Sequence, residues 1–318
     1  MTDMAITVIK PQKAGGRPLL PAALNGVRRE SFGRAGRLSF YVAGEGAPLL
    51  LVHSINAAGS AYEVKPIFDA LVGSRRVYAV DLPGFGFSDR SKRDYTPRLY
   101  TDAIHDMLDV VAKDEMSTAP IDALAVSLGS EFLARAAVEA PARFRTLTLV
   151  TPTGFNKGSD KLRGKPGETR QVPGLYGAFT FPLWSQGIYD LLVSRPSIRY
   201  FLRKTFGSDR FDQGLAEYDY LTAHQDGAKN APFAFVSGKL FAKDIRTIYE
   251  GLTLPVWMPH GTKGDFGDFS DAGWAEAKDN WRVEPFDTGA LPHFEEPQKF
   301  MADYRRFLAD AAIEAHAA

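Results

Sequence analysis

The chain has 318 residues, 45% of them hydrophobic, which is enough for a sizeable core in one large α/β domain or two small ones. Lysine plus arginine equals aspartate plus glutamate at 38 each, so no global field draws nucleic acid or an anionic membrane, and a small-molecule partner is expected. With no cysteine, disulfides, thiolate metal sites and a cysteine nucleophile are excluded together; no metal or organic cofactor is expected.

Residues 1–25 are interrupted by Pro11, Gly15, Gly16 and Pro18 and read as an N-terminal arm without the continuous apolar core of a signal peptide. No run is long enough to span a bilayer, so the expectation is a cytoplasmic protein with no membrane insertion; composition does not address oligomeric state. From Gly36 the pattern sharpens. Residues 37–42 alternate like a half-buried strand, and 48–52 (Pro-Leu-Leu-Leu-Val) are continuously apolar, as a strand buried on both faces must be. A small-residue loop starts at His53, a helix is expected over 61–71, the next buried strand over 76–80, and the loop Asp81-Leu-Pro-Gly-Phe-Gly-Phe-Ser88 follows. Ile104, Met107, Leu108 and Val111 mark a helix over 100–112, and residues 146–150 a further buried strand. Strand–helix alternation of this kind predicts an α/β fold with a mostly parallel sheet covered on both faces.

Between Pro152 and Asn230 the alternation stops. The stretch is rich in glycine, proline and aromatic rings, among them Phe155, Tyr176, Trp184, Tyr189, Phe206 and Tyr218, and reads as a mainly helical cap inserted over 152–230 into a core of 26–151 and 231–318. Most of those rings are expected to form the cap's own small core. The pattern resumes with a helix over 237–250, strands over 255–258 and 282–286, and a closing amphipathic helix over 298–311.

The chemistry concentrates at residues 121–135. The apolar run Ala123–Val126 meets Ser127 and becomes helical from Ser130 with no turn sequence between. A strand turning into a helix within two residues bends sharply and lifts the bend residue clear of the sheet, the geometry of a nucleophile elbow written G-x-S-x-G; here Ala125 stands for the first glycine and Gly129 is the second. A serine hydroxyl needs a base and a group to orient that base. Of six histidines, His316 lies in the tail, His224 in the cap stretch and His105 within a helix, while His53 and His260 directly follow strands. His293 lies on a loop between the last strand and the last helix and is the expected base. The orienting acid is Asp265 or Asp268, both after the strand 255–258; Asp265, nearer the strand end, is preferred.

The order Ser127, Asp265, His293 and four motifs together resemble the α/β-hydrolase superfamily, in particular its capped serine hydrolases, which include esterases and carbon–carbon bond hydrolases. The motifs are Leu51-Val-His-Ser54, Asp81 to Asp89, the elbow, and Leu291-Pro-His-Phe-Glu-Glu-Pro297, and the similarity runs from Arg37 to Leu308. The resemblance implies an oxyanion hole from the backbone N–H groups of Leu128 and Ile55. It also implies a small, apolar carboxylic ester cleaved through an acyl-enzyme; the alternatives are carbon–carbon bond hydrolysis on the same triad or a non-catalytic binding protein of this fold. A serine nucleophile sets the chain apart from dehalogenases and epoxide hydrolases, which use a carboxylate. Two departures are visible: Ser54 replaces the usual glycine, and Gly261 and Asp265 are one residue further apart than in the family's G-x-x-D.

Overall fold

The computed structural model describes residues 13, 14, 17–161 and 163–317; of the arm expected over 1–25, residues 1–12, 15 and 16 lie outside the described residues. Eight strands form one sheet: β1 (Val27–Gly33), β2 (Gly36–Ala43), β3 (Pro48–Val52), β4 (Arg76–Asp81), β5 (Ile121–Val126), β6 (Phe144–Val150), β7 (Val256–Gly261) and β8 (Trp281–Phe286). Their order is β8-β7-β6-β5-β3-β4-β2-β1. All pairings are parallel except β1–β2 and β2–β4. The apolar runs of β3, β4 and β5 are buried almost throughout, since both faces of the sheet are covered. The sequence reading did not include β1: its Val-Arg-Arg-Glu-Ser-Phe-Gly is an edge strand, mostly exposed, and carries no buried periodicity.

Helices α1 (Lys65–Leu71) and α12 (Pro297–Ala317) cover one face; α2 (Pro97–Asp114), α3 (Gly129–Glu139), α9 (Ile245–Glu250) and α10 (Gly273–Glu276) cover the other. Between β6 and β7 the chain adds α4 (Leu175–Thr180), α5 (Ser185–Leu192), α6 (Arg195–Phe206), α7 (Gln213–Ala223) and α8 (Asn230–Val236). Two expected helices differ. Residues 61–71 form a 3₁₀ turn, Ala61–Val64, before α1, because Pro66 has no N–H for a continuous helix. The helix expected over 237–250 forms only as α9: Gly238 takes φ +78°, residues 237–240 form turns and Ala242 bridges Thr169, with Val172 N–H donating to Ser237 O and Lys243 N–H to Glu168 O. Tertiary pairing overrides the local pattern there.

Trp257 on β7 is fully buried, stacks on Tyr304 of α12 at 5.6 Å and donates from Nε1 to Glu284 Oε2 at 3.0 Å. Trp257→Ala is expected to destabilise the chain by about 3–5 kcal/mol, the usual range for emptying a large aromatic site, read from urea denaturation; a loss below about 1 kcal/mol would contradict this packing.

Candidate active site

The strand order reverses between β3 and β5, which lie side by side while their connections leave in opposite directions; this is the crevice where open parallel sheets hold ligands. Ser127 leaves the end of β5 with φ +50°, a left-handed conformation that a residue with a Cβ adopts at a cost of about 1 kcal/mol. Its N–H donates to Val150 O at 2.8 Å, and Leu128 is already helical at the head of α3. A Cβ at Gly129 would strike the His53 carbonyl, so the second small residue is required by the closeness of α3 to the loop after β3. The bend expected from sequence is therefore present, strained and held from both sides. The N–H groups of Leu128 and Ile55 make no hydrogen bond among the described residues, and Leu128 stands at the positive end of α3. Thr151, at the end of the neighbouring β6, is likewise strained at φ +45°, and its buried hydroxyl has no partner.

The loop after β3 is organised by a residue that sequence reasoning missed. Glu63 Oε2 accepts from Ser54 N–H at 2.8 Å, and Glu63 Oε1 from Asn56 Nδ2 at 2.6 Å; Ala58 N–H donates in turn to Asn56 Oδ1 at 2.7 Å. Burial raises the Glu63 pKa, these hydrogen bonds opposing it. Asp219 of α7, also buried, is raised well above the carboxylate range by burial and then by the charges of Glu63 and Asp212; its Oδ1 has no partner. Within a segment read as helix over 61–71, nothing marked Glu63 as buried. For Asp219, the only available signal was an acid flanked by Tyr218 and Tyr220.

His293 lies on α11 (Pro292–Glu295) after β8 and is 1% exposed, with Phe294 and Phe300 rings at 5.1 and 5.5 Å. Its Nε2 donates to the main-chain carbonyl of Glu63 at 2.8 Å, and its Nδ1 is buried without a hydrogen-bond partner. Burial lowers its pKa to about 4, so the ring is neutral at pH 7. With the proton on Nε2 committed to Glu63, the lone pair is on Nδ1. Neither nitrogen is hydrogen-bonded to Ser127 or to an aspartate. Asp265 has a side chain 55% exposed and pairs with Lys204 of α6 at 3.1 Å. Asp268 accepts from Lys157 N–H and Ser270 N–H, both at 3.1 Å, and from the Ser270 hydroxyl, which holds its pKa below the usual range. The structure thus brings together Ser127, Leu128 and the loop of Ile55, and places His293 on Glu63; Asp265 and Asp268 stay at the surface.

Four further histidines have partners of their own. His53 Nε2 accepts from Leu82 N–H at 2.9 Å, and burial lowers its pKa to about 4. His260 stacks on Phe269 at 4.1 Å, His105 bonds Glu139 at 2.9 Å, and the His224 ring bonds Tyr220 O at 2.7 Å. Arg90 is half-buried and donates to Gly86 O and to Thr222 O and Oγ1 of α7. No cluster of metal-ligating side chains occurs among the described residues. A cleft of about 570 Å³ opens between residues 206–212 and α11, lined by Arg210, Lys263, Phe294 and Glu295 among others; neither Ser127 nor His293 lines it.

The family model described as alpha/beta hydrolase fold matches residues 47–194, spanning the loop after β3 and the elbow. With the sheet order and the strained serine, this defines the class: the chain is an α/β-hydrolase-fold protein. It is 26% identical over 161 residues to the 2-hydroxymuconate semialdehyde hydrolase of Pseudomonas sp. (strain CF600), covering 49% of this chain and 55% of that protein. It is 31% identical over 280 residues to the abhydrolase domain-containing protein abhd-5.2 of Caenorhabditis elegans, covering 83% of this chain and 56% of that one. The chain therefore spans little more than half the length of these curated relatives. Among solved structures, the meta-cleavage product hydrolase from Pseudomonas fluorescens IP01 superposes with a TM-score of 0.67 at 18% identity, covering 89% of this chain and 98% of that one, a likeness of fold.

Proposed function

We propose that the chain is a serine hydrolase that cleaves a small, apolar carboxylic ester at Ser127. The observation that carries the reading is the φ of +50° at Ser127, a strain that serves to present the hydroxyl at the head of α3 beside unengaged backbone donors. In this mechanism the Ser127 oxygen attacks the carbonyl carbon while its proton passes to His293. The oxyanion is bound by the N–H groups of Leu128 and Ile55. His293 returns the proton to the departing alkoxide, and water, deprotonated by the same ring, attacks the acyl-enzyme to release the acid. For this, His293 must exchange its hydrogen bond to the Glu63 carbonyl for one to Ser127, since it makes only the former here. Asp265 is the proposed orienting acid, with Asp268 as the alternative, and either must leave its surface partners to reach the ring. The helical segment between β6 and β7 acts as the cap, meeting the loop of Ile55 through Tyr189, whose hydroxyl donates to Ala57 O and Ala223 O.

Two observations favour other readings. Half-buried Arg90, together with the name of the Pseudomonas relative, a 2-hydroxymuconate semialdehyde hydrolase, favours carbon–carbon bond cleavage of an acidic diketone on the same serine. The engagement of His293 by Glu63 favours a binding protein without turnover. Treatment with a fluorophosphonate followed by peptide mapping separates catalysis from binding: the expected result is an adduct on Ser127, absent from Ser127→Ala. No adduct on folded protein would support the binding reading. Turnover of p-nitrophenyl esters against vinylogous diketones separates the two chemistries.

A further inference from the structure

Helix α5 is apolar on two faces. Ser185, Tyr189 and Val193 face inward, as a helix packed on its neighbours requires. Trp184, Ile188 and Leu191, spaced i, i+4 and i+7, face water, and Leu191 is 74% exposed. The preceding turn adds Phe181, against Trp184 at 4.5 Å, and Leu183, 83% exposed. On α6, which packs on α5, Tyr200 and Phe201 are exposed between Arg199 and Arg203. Single exposed apolar side chains need no explanation; a run of them on consecutive turns, where a surface helix should be polar, implies that something covers it.

Charge indicates what. Residues 171–206 hold Arg195, Arg199, Arg203 and Lys204 against one acid, Asp190, in a chain whose totals balance. Arg195 pairs with Glu217, Arg203 with Asp209 at 2.6 Å and Lys204 with Asp265 at 3.1 Å, all on the surface; Arg199 forms no ion pair among the described residues. Such exposed pairs are worth under about 1 kcal/mol and yield to a competing anion. The Trp184 indole N–H already donates to Ala178 O at 2.8 Å, so the ring can leave water without stranding its donor.

We propose that the face formed by the turn before α5, by α5 and by the basic side of α6 docks peripherally on an anionic lipid surface. Trp184, Leu183 and Leu191 enter the headgroup–acyl boundary and the α6 arginines meet the headgroups. Among the described residues no helix is long and apolar enough to cross a membrane, and docking of this kind needs none.

Co-sedimentation with phosphatidylcholine vesicles, with and without phosphatidylglycerol, tests it. Wild-type chain is expected to partition onto the anionic vesicles, less onto the neutral ones, and less again in high salt, with a blue shift of fluorescence that is lost in Trp184→Phe. Leu183→Asp and Leu191→Glu, both at exposed sites, should each lower partition about tenfold, and Arg199→Glu about fivefold or more, with the urea midpoint unchanged. Absence of vesicle binding by a monomeric wild type overturns the proposal, as does binding indifferent to these substitutions. So does a vesicle-independent dimer broken by Leu191→Glu, which would assign the face to a second copy of the chain.

Discussion

Ser127→Ala is expected to lower kcat/KM for a reactive p-nitrophenyl ester by at least about 10³-fold while leaving the fold intact, because in the proposed mechanism the hydroxyl is the attacking group and no other member of the site replaces it. His293→Ala should cost about as much, since nucleophile and base act as one unit. Asp265→Asn should cost about 10³- to 10⁴-fold in kcat/KM, the usual loss where an aspartate orients the imidazole, and Asp268→Asn less than about tenfold. In the structure Asp265 is on the surface with Lys204 and His293 donates to the Glu63 carbonyl, so both contacts must be exchanged for this result. The reverse pattern would assign the orienting role to Asp268, and activity within about tenfold of wild type in both amide variants would contradict an orienting aspartate.

Between pH 5 and 8.5 the chain is expected to lose stability relative to Glu131→Gln. Glu131 lies one turn into α3 from Ser127; its Oε1 accepts from Thr153 Oγ1 at 2.5 Å and its Oε2 from Ala242 N–H at 3.2 Å. Burial raises its pKa from 4.5 to about 7, against the hydrogen bonds from Thr153 and Ala242. The positive end of α3 also favours the anion, but by no more than about 2 kcal/mol, and burial prevails. A folded pKa above the unfolded one means that the folded chain binds the proton more tightly. The stabilisation is thus complete below pH 4.5 and lost as pH rises through about 7, up to about 3 kcal/mol in all. Glutamine, neutral throughout and able to donate to Thr153 while accepting from Ala242, should flatten that dependence and be the more stable form at pH 8. Urea midpoints for both proteins across the range check this; parallel curves would contradict it.

Elements whose burial repeats in sequence were legible: the all-apolar β3 was bounded as observed, and β4, β5 and α3 to within a residue or two. The elbow was legible because close packing of strand on helix requires small side chains at fixed offsets, and Gly129 carries that requirement against His53. Exposed β1 was not, since an edge strand of arginines and glutamate shares its pattern with a loop. In the candidate site, Ser127 and the loop of Ile55 follow from strand order alone. The partners of His293 do not. They depend on how α11 crosses back over roughly four strand spacings, about 19 Å, from β8 to the loop after β3. No local signal sets whether a ring at that distance meets a hydroxyl, a carboxylate or, as here, the carbonyl of Glu63. The position of Asp265 was equally invisible, because its partner Lys204 lies sixty-one residues away on α6.

The structure of the protein after exposure to a fluorophosphonate tests the proposed nucleophile and its base at once. A phosphonyl group on the residue 127 oxygen, its P=O against the amides of Leu128 and Ile55 and the imidazole of His293 released from Glu63, is the outcome expected here. An unmodified serine beneath an imidazole still bonded to that carbonyl, in protein that is fully folded, would contradict it and leave a ligand-binding member of this fold.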